Sequence, residues 1–449
     1  MTSRVSPNQP RVPVARTTGT APTTTTPSKP VSTGGRLLAN SFGGATRAAE
    51  PLSGADAVSA QAKLDAIGRL ANGHTDRAEE GKILDLFRAA SPKELNYLVA
   101  RLDMHELLED IDDRLIGPDN RTALVTILTK DRVKDLSLGA RVSLINAFQS
   151  GGTGGLEETG IRNLFVATKG KDLTALKNGV DAGNDWHDLQ QLVFHDIDDP
   201  KLRAEILTHF QKEAVPTGES KVLSDIDDTF YENLKDTRFP KKTVYPGVIS
   251  FYAELDKGAA AQAGRSGDLA FVTARPNDRA GLVESLTEKT LQSHGVKDAV
   301  VLQGDLLSNL SNDAIAKKKF ENFTQYKQLF PEYSFVFTGD SGQGDVIFGA
   351  KMREAAPKDV KAVFINDVVN TPQAKRDEYR RKGVFFTDTY VGAAVEAFKL
   401  GLMSKEGLQR VAQAAKEDFA KIPFTDENQK KARAGELQRD VAAAEAAIR

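Results

Sequence analysis

The stretch Lys221-Val222-Leu223-Ser224-Asp225-Ile226-Asp227-Asp228-Thr229 joins a short β-prone apolar run to two carboxylates spaced two residues apart and then a threonine. Side chains alternate along an extended chain, so Asp225 and Asp227 point the same way. Acids at the carboxyl end of a buried strand sit where open α/β sheets place their sites. Paired there, they can hold a metal ion, and one can attack a phosphorus atom while the other manages protons.

Asp-Ile-Asp-Asp also begins at Asp110 and at Asp196. Both further copies lie where one helical pattern stops and another begins, and neither is followed by threonine in the fifth position. Acids in that setting cap helices and favour their positive ends, and Pro200 suits a first helical turn. These two copies read as structural.

The copy at Asp225 is followed by three more segments in a set order. Leu269-Ala270-Phe271-Val272-Thr273-Ala274-Arg275-Pro276 is a second apolar run ending in a hydroxyl residue. Lys317-Lys318-Lys319 opens a helical pattern carrying Phe320, Phe323, Lys327 and Phe330, with Pro331 closing it. Tyr333-Ser334-Phe335-Val336-Phe337-Thr338-Gly339-Asp340 then leads through Ser341-Gly342-Gln343-Gly344 to Asp345. Glycines there let backbone approach an ion or phosphate closely. Each segment alone has an ordinary structural reading; their order is what points to a site.

This constellation resembles the haloacid-dehalogenase superfamily of phosphotransferases. Residues from about 221 to 390 look most like the catalytic domain of the actin-patch-type phosphatidate phosphatases. Ser224 to Thr229, Tyr245-Pro246-Gly247-Val248, Lys319 with Phe323 and Phe330-Pro331, and Gly339 to Asp345 carry the closer likeness. Thr273-Ala274-Arg275-Pro276 stands where a serine-centred version is associated with the fungal enzymes. The resemblance implies an α/β fold, a Rossmann-like three-layer parallel sheet without a large cap. It implies Asp225 as nucleophile, Asp227 as general acid and base, and Thr229 steadying the loop that carries Asp227. Thr273 would bind a phosphoryl oxygen and Lys319, ahead of Lys317 and Lys318, would neutralise charge. A Mg²⁺ ion would be held by Asp225, the backbone carbonyl of Asp227, Asp340 and, directly or through water, Asp345.

Neither the gap from Thr229 to Tyr245 nor that from Pro276 to Lys317 is long enough for a lid domain, which needs about 50 residues or more. The expected site is therefore uncapped and open to a bulky substrate. The flap after Thr229 carries Phe230, Tyr231, Lys235, Arg238, Phe239, Lys241, Lys242 and Tyr245. Cations among aromatics suit an anionic membrane surface, and an ordinary surface loop suits the same residues equally well.

Around this core the expected organisation is a disordered basic tail over 1–55, an all-α domain with two repeats over 56–215, the phosphatase domain over 216–402, and a helical tail over 403–449. The repeat is visible as Glu79-Glu80, Ile83, Leu86-Phe87, Leu95 and Leu98 recurring as Glu157-Glu158, Ile161, Leu164-Phe165, Leu173 and Leu176. A net charge of −2 argues against a nucleic-acid binder. Zero cysteines excludes disulfides and thiolate zinc sites, and the 6 histidines show no ligand spacing. No apolar run approaches the about 18 residues of a membrane span. The expectation is a cytoplasmic protein, peripheral at membranes if its substrate is there.

The favoured activity is Mg²⁺-dependent hydrolysis of a phosphatidate-like lipid phosphate. Two alternatives stand beside it: the same chemistry on a phosphoprotein or soluble phosphoester, and a helical-repeat adaptor whose binding of a protein partner is the main role.

Overall fold

The computed structural model describes residues 52–72, 75–111, 119–150, 152–181, 188–260, 269–276, 300–304 and 311–449, with the side chains of 273–276 and 300–304 outside that description. The described residues belong to one compact unit, Gly34–Arg449. The basic tail, apart from its last few residues, and Asp112 and Asp113 of the first Asp-Ile-Asp-Asp copy lie outside the described residues.

The first half is helical: α1 (Gly54–Leu70), α2 (Arg77–Ala89), α3 (Pro92–Arg101), α4 (Met104–Asp110), α5 (Asn120–Thr126), α6 (Leu138–Gln149), α7 (Gly155–Val166), α8 (Gly170–Asp181), α9 (Leu189–Gln191) and α10 (Pro200–Glu213). Local chemistry sets many of the starts. Asp76 and Ser91 each form a capping box, with Glu79 and Glu94 respectively. Asp199, the last residue of the Asp-Ile-Asp-Asp copy that begins at Asp196, caps α10 with Pro200 in its first turn. Ile83, Phe87, Leu95 and Leu98 on α2 and α3, and Ile161, Phe165, Leu173 and Leu176 on α7 and α8, are all buried. Spacings of three and four put these residues on one face of each helix.

The second half is a six-stranded sheet, every neighbouring pair parallel, in the order β3-β2-β1-β4-β5-β6. The strands are β1 (Ser220–Ser224), β2 (Leu269–Pro276), β3 (Val300–Gly304), β4 (Ser334–Asp340), β5 (Val360–Asn366) and β6 (Val384–Thr387). Between and after them run α11 (Val248–Lys257), α12 (Asn312–Leu329), α13 (Asp345–Ala355), α14 (Gln373–Arg380), α15 (Tyr390–Lys399), α16 (Lys405–Ala420) and α17 (Glu427–Ala447). Alternation along the strands divides their side chains between two cores. Val222, Val336, Phe364 and Phe385 face α11, α15, α16 and α17. Leu223, Phe337, Val363 and Phe386 face α12 and α13. The result is a Rossmann-like three-layer architecture. The strand order reverses between β1 and β4, and in such sheets the crevice beyond the carboxyl ends at that point is where ligands bind.

The core on the α12 side continues without a break into the helical half, from Phe335 and Tyr326 to Phe210, Leu176 and Leu189. Buried polar contacts cross the same seam. Lys177 Nζ donates to Leu329 O at 2.7 Å and Glu332 Oε2 at 2.8 Å. Tyr326 Oη donates to Asp181 Oδ2 at 2.7 Å, and Asn178 Nδ2 to Tyr333 Oη at 2.7 Å. Burial pushes the Lys177 ammonium down to about 8 against the pull of Glu332. The helices after Ser404 are likewise part of a core: Leu408, Val411, Ala415 and Leu437 are buried in the layer over the other sheet face. Among the described residues no helix is long and apolar enough to cross a membrane.

Candidate active site

Asp225 follows the last residue of β1, and its N–H donates to Thr338 O of β4 at 2.9 Å. This bond carries the sheet register one residue past β1 and brings Asp225 to the switch point beside Asp340, the last residue of β4. Asp345 begins α13, across a loop whose Gly339 is in unusually close contact. A Cβ on Gly339 would meet Asp345 Cβ and Oδ2 at 2.7 Å, so only glycine admits the approach. Asp340 N donates to Asp345 Oδ2 at 3.2 Å, and Gly342 N donates to Asp340 Oδ1 at 2.6 Å.

Carboxylate oxygens of Asp225, Asp340 and Asp345 lie within 4.8 Å of one another, and all three residues are buried. Lys319 reaches them from α12. Its Nζ donates to Asp225 Oδ1 at 2.5 Å and to Asp345 Oδ1 at 2.6 Å. Helical spacing singles it out of its run: Lys317 is exposed, Lys318 is half-buried beside Glu321, and Lys319 shares the buried stripe with Ala316, Phe323 and Tyr326.

Three acids facing one ammonium leave an excess of negative charge in a buried setting. Burial pushes the Asp225 carboxyl up to about 7, Lys319 pulls it down, and Asp345 and Asp227 add to the rise. Burial and the same neighbours push Asp340 well above the usual carboxylate range. Lys319 is held above its ordinary value because Asp225 and Asp345 outweigh its desolvation. Such a set of hard oxygen donors could hold a metal ion, which would cancel the surplus charge.

Asp227 stands apart from this cluster. It is half-buried, and its Oδ1 accepts from Asn233 Nδ2 at 2.6 Å. Thr229 Oγ1 donates to Asp225 Oδ2 at 3.4 Å, so this threonine touches the first acid of the motif. Thr273 lies in β2, and its side chain is outside the described residues.

Several residues that the motifs did not single out build the surroundings. Asp228 has φ +60°, a left-handed conformation that aspartate tolerates better than bulkier residues. Its carboxylate gathers the N–H groups of Asn233, Leu234 and Lys235 at 2.8, 3.0 and 2.5 Å, folding the flap back over the motif. Asn366, at the end of β5, donates to Asp228 O at 2.9 Å. Asp367 accepts from Ser341 Oγ at 2.7 Å and so holds the loop between Asp340 and Asp345. A carboxylate next to a motif and a polar pair at a strand end were the available signals, and both are too common to decide anything alone.

The flap differs from expectation in one respect. Phe230, Tyr231 and Tyr245 are buried, and Phe239 packs edge-on against Tyr245 and near Phe424. The aromatics serve the protein interior, because Phe230 and Tyr245 are drawn into the core that also holds Tyr252 and Tyr390. They do not form an outward aromatic surface.

Residues 220–367 match the family described as phosphatidate phosphatase APP1, catalytic domain. No curated protein and no solved structure matches the chain.

Proposed function

We propose that this chain, whose residues 220–367 carry a catalytic domain of the phosphatidate phosphatase type, is a Mg²⁺-dependent phosphatase of haloacid-dehalogenase type acting on phosphatidate-like lipid. The observation that carries the proposal is the convergence of Lys319 on Asp225 and Asp345 with Asp340 beside them, at the crevice of the sheet.

Asp225, Asp340 and Asp345 would hold the ion, joined by the backbone carbonyl of Asp227. When bound, Mg²⁺ would screen an anionic nucleophile from an anionic substrate and orient the phosphate. In the first half-reaction a carboxylate oxygen of Asp225 attacks phosphorus, the bond from phosphorus to the lipid oxygen breaks, and Asp227 gives that oxygen a proton. In the second, Asp227 takes a proton from water as the water oxygen attacks the aspartyl-phosphate, releasing inorganic phosphate and restoring Asp225. Lys319 neutralises charge on Asp225 and on the transferring group. Thr229 keeps Asp225 in place, and Thr273 is assigned to a phosphoryl oxygen. Asn233 orients Asp227 toward the leaving group.

The test is a substrate panel on purified protein, with and without Mg²⁺. Phosphate release from phosphatidate in mixed micelles should exceed that from phosphopeptides and small esters, and chelation or Asp225→Asn should abolish it. Good turnover of peptides or small esters with none on any lipid would move the substrate to one of the alternatives. The packing of α9 and α10 on α12, with Lys177 and Asp181 of α8 hydrogen-bonded to Leu329 and Tyr326, favours a structural role for the helical half over that of a separate adaptor.

A further inference from the structure

The flap sorts its charges by sign. Asp228, Glu232 and Asp236 are completely buried, while Lys235, Lys241 and Lys242 are exposed. The acids are engaged within the protein. Asp228 binds three flap N–H groups, as above. Asp236 accepts from Arg238 and, at 2.7 Å, from Tyr245 Oη. Glu232 accepts from Lys242 N at 2.9 Å and Lys241 Nζ at 2.6 Å. The outward face of the flap is therefore basic, and at its tip Leu234 is 54 % exposed.

A second bare aliphatic residue lies close to the site. Val369, after β5, is also 54 % exposed. Val369 and Lys235, the neighbour of Leu234, border the loop that begins next to Asp340. Ser341 Oγ accepts from the N–H groups of Val368 and Val369 at 2.9 and 3.2 Å. At the next residue of the loop, a Cβ on Gly342 would meet Lys235 Cβ at 3.0 Å and Asp340 Oδ1 at 3.1 Å. Single exposed apolar residues are ordinary. Two of them flanking one loop next to Asp340, beside lysines whose flap acids Asp228, Glu232 and Asp236 are buried, make a pattern with a direction.

We propose that Leu234 and Val369, together with the exposed flap lysines Lys235, Lys241 and Lys242, are a docking rim that seats the site on an anionic lipid bilayer. The aliphatic tips enter the interfacial region and the lysines meet anionic headgroups. The inference deepens the lipid reading of the same site and rests on it for its biological sense. Its physical test is independent of turnover.

The experiment is co-sedimentation of the full-length protein with vesicles of phosphatidylcholine containing phosphatidylserine, and with phosphatidylcholine alone. The proposal expects binding to the anionic vesicles that weakens as salt rises. It expects Leu234→Glu and Val369→Glu each to weaken binding by about tenfold or more, with unchanged circular dichroism and unchanged hydrolysis of a soluble aryl phosphate. Leu234→Ala, a milder change, should give an intermediate loss. Absence of binding by the wild type, or variants that bind as it does, overturns the rim. Binding without release of phosphate from phosphatidate would instead overturn the substrate reading and leave the rim standing.

Discussion

Lys319 and Asp225 are 94 positions apart in the chain, and the Lys319 ammonium stands 2.5 Å from an oxygen of the Asp225 carboxylate in a buried setting. One element brings each of them there. β1 delivers the acid to the switch point, and the buried stripe of α12 delivers the base to the same place.

Removing that ammonium should be costly in two ways. Lys319→Met leaves Asp225, Asp340 and Asp345 facing one another without a cation, and stranding buried charge costs about 3–5 kcal/mol. Thermal unfolding should show this loss in chelator and a smaller loss in excess Mg²⁺, because a bound cation takes over part of the balancing. Turnover should fall by about 10²-fold or more even with Mg²⁺ present. Equal melting temperatures for variant and wild type in chelator would contradict the charge balance described.

Asn233 holds Asp227 through a 2.6 Å bond and touches neither the acid cluster nor Lys319 in any described contact. Asn233→Ala should lower kcat by about tenfold with little change in KM, since proton transfer by a positioned group typically contributes 10²–10⁴-fold and the acid itself remains. A leaving group of low pKa, such as a nitrophenolate, should rescue most of the loss. A rise in KM without change in kcat would mean that Asn233 serves binding instead.

How far the sequence reveals this site depends on the kind of information each residue carries. Asp225, Asp340 and Asp345 lie at strand and helix ends, and Lys319 on the buried stripe of a helix, in motifs whose order survives in one dimension, and they come together as the sheet topology requires. Asp228 and Asn233 matter because of a left-handed turn that folds the flap back, and such a turn leaves no periodicity to read. The flap aromatics mislead for a related reason. Composition tells that Phe230, Tyr231 and Tyr245 are near the site, but only packing tells that they face inward. In the helical half the repeat is legible as spacing, while its attachment to α12 is not. Lys177, Asp181 and Asn178 look like ordinary surface residues of an amphipathic helix until Tyr326, Glu332 and Tyr333 appear opposite them.

That attachment predicts the fate of a fragment. A protein beginning at residue 216 would expose the apolar face of α12 that Phe210, Leu176 and Leu189 now cover. It should be aggregation-prone, and adding back the helical half should not be needed for chemistry beyond restoring the fold. Within the full chain, Tyr326→Phe removes one buried donor to Asp181 and should lower stability by about 1–2 kcal/mol, read by denaturant titration. A soluble, fully stable 216–449 fragment would show that the two halves are independent.

Acid should loosen the helical half at a defined point. Glu94 ties α3 to α1, accepting from Ser59 Oγ at 2.5 Å, Lys63 Nζ at 2.6 Å and Ser91 N at 2.7 Å. Burial disfavours its charge, but these donors outweigh burial and hold the carboxyl down at about 2, below an ordinary 4.5. A depressed pKa in the folded state stabilises fully above the unfolded value and is lost as pH falls through the folded one. The melting-temperature advantage of the wild type over Glu94→Gln should therefore be constant above pH 4.5 and shrink between pH 4.5 and 2. An advantage that does not change over that window would mean the carboxylate is not held by its partners.

The most direct measurement is to trap the intermediate. Wild-type protein with Mg²⁺ and labelled phosphatidate, quenched in acid during turnover and digested, should yield one phosphorylated peptide, spanning Asp225 and cleaved of its label by hydroxylamine as an acyl phosphate is. Asp227→Asn should lengthen the life of that species, and Asp225→Asn should not form it. Turnover by Asp225→Asn at the wild-type rate, or label on any other residue, would contradict the account.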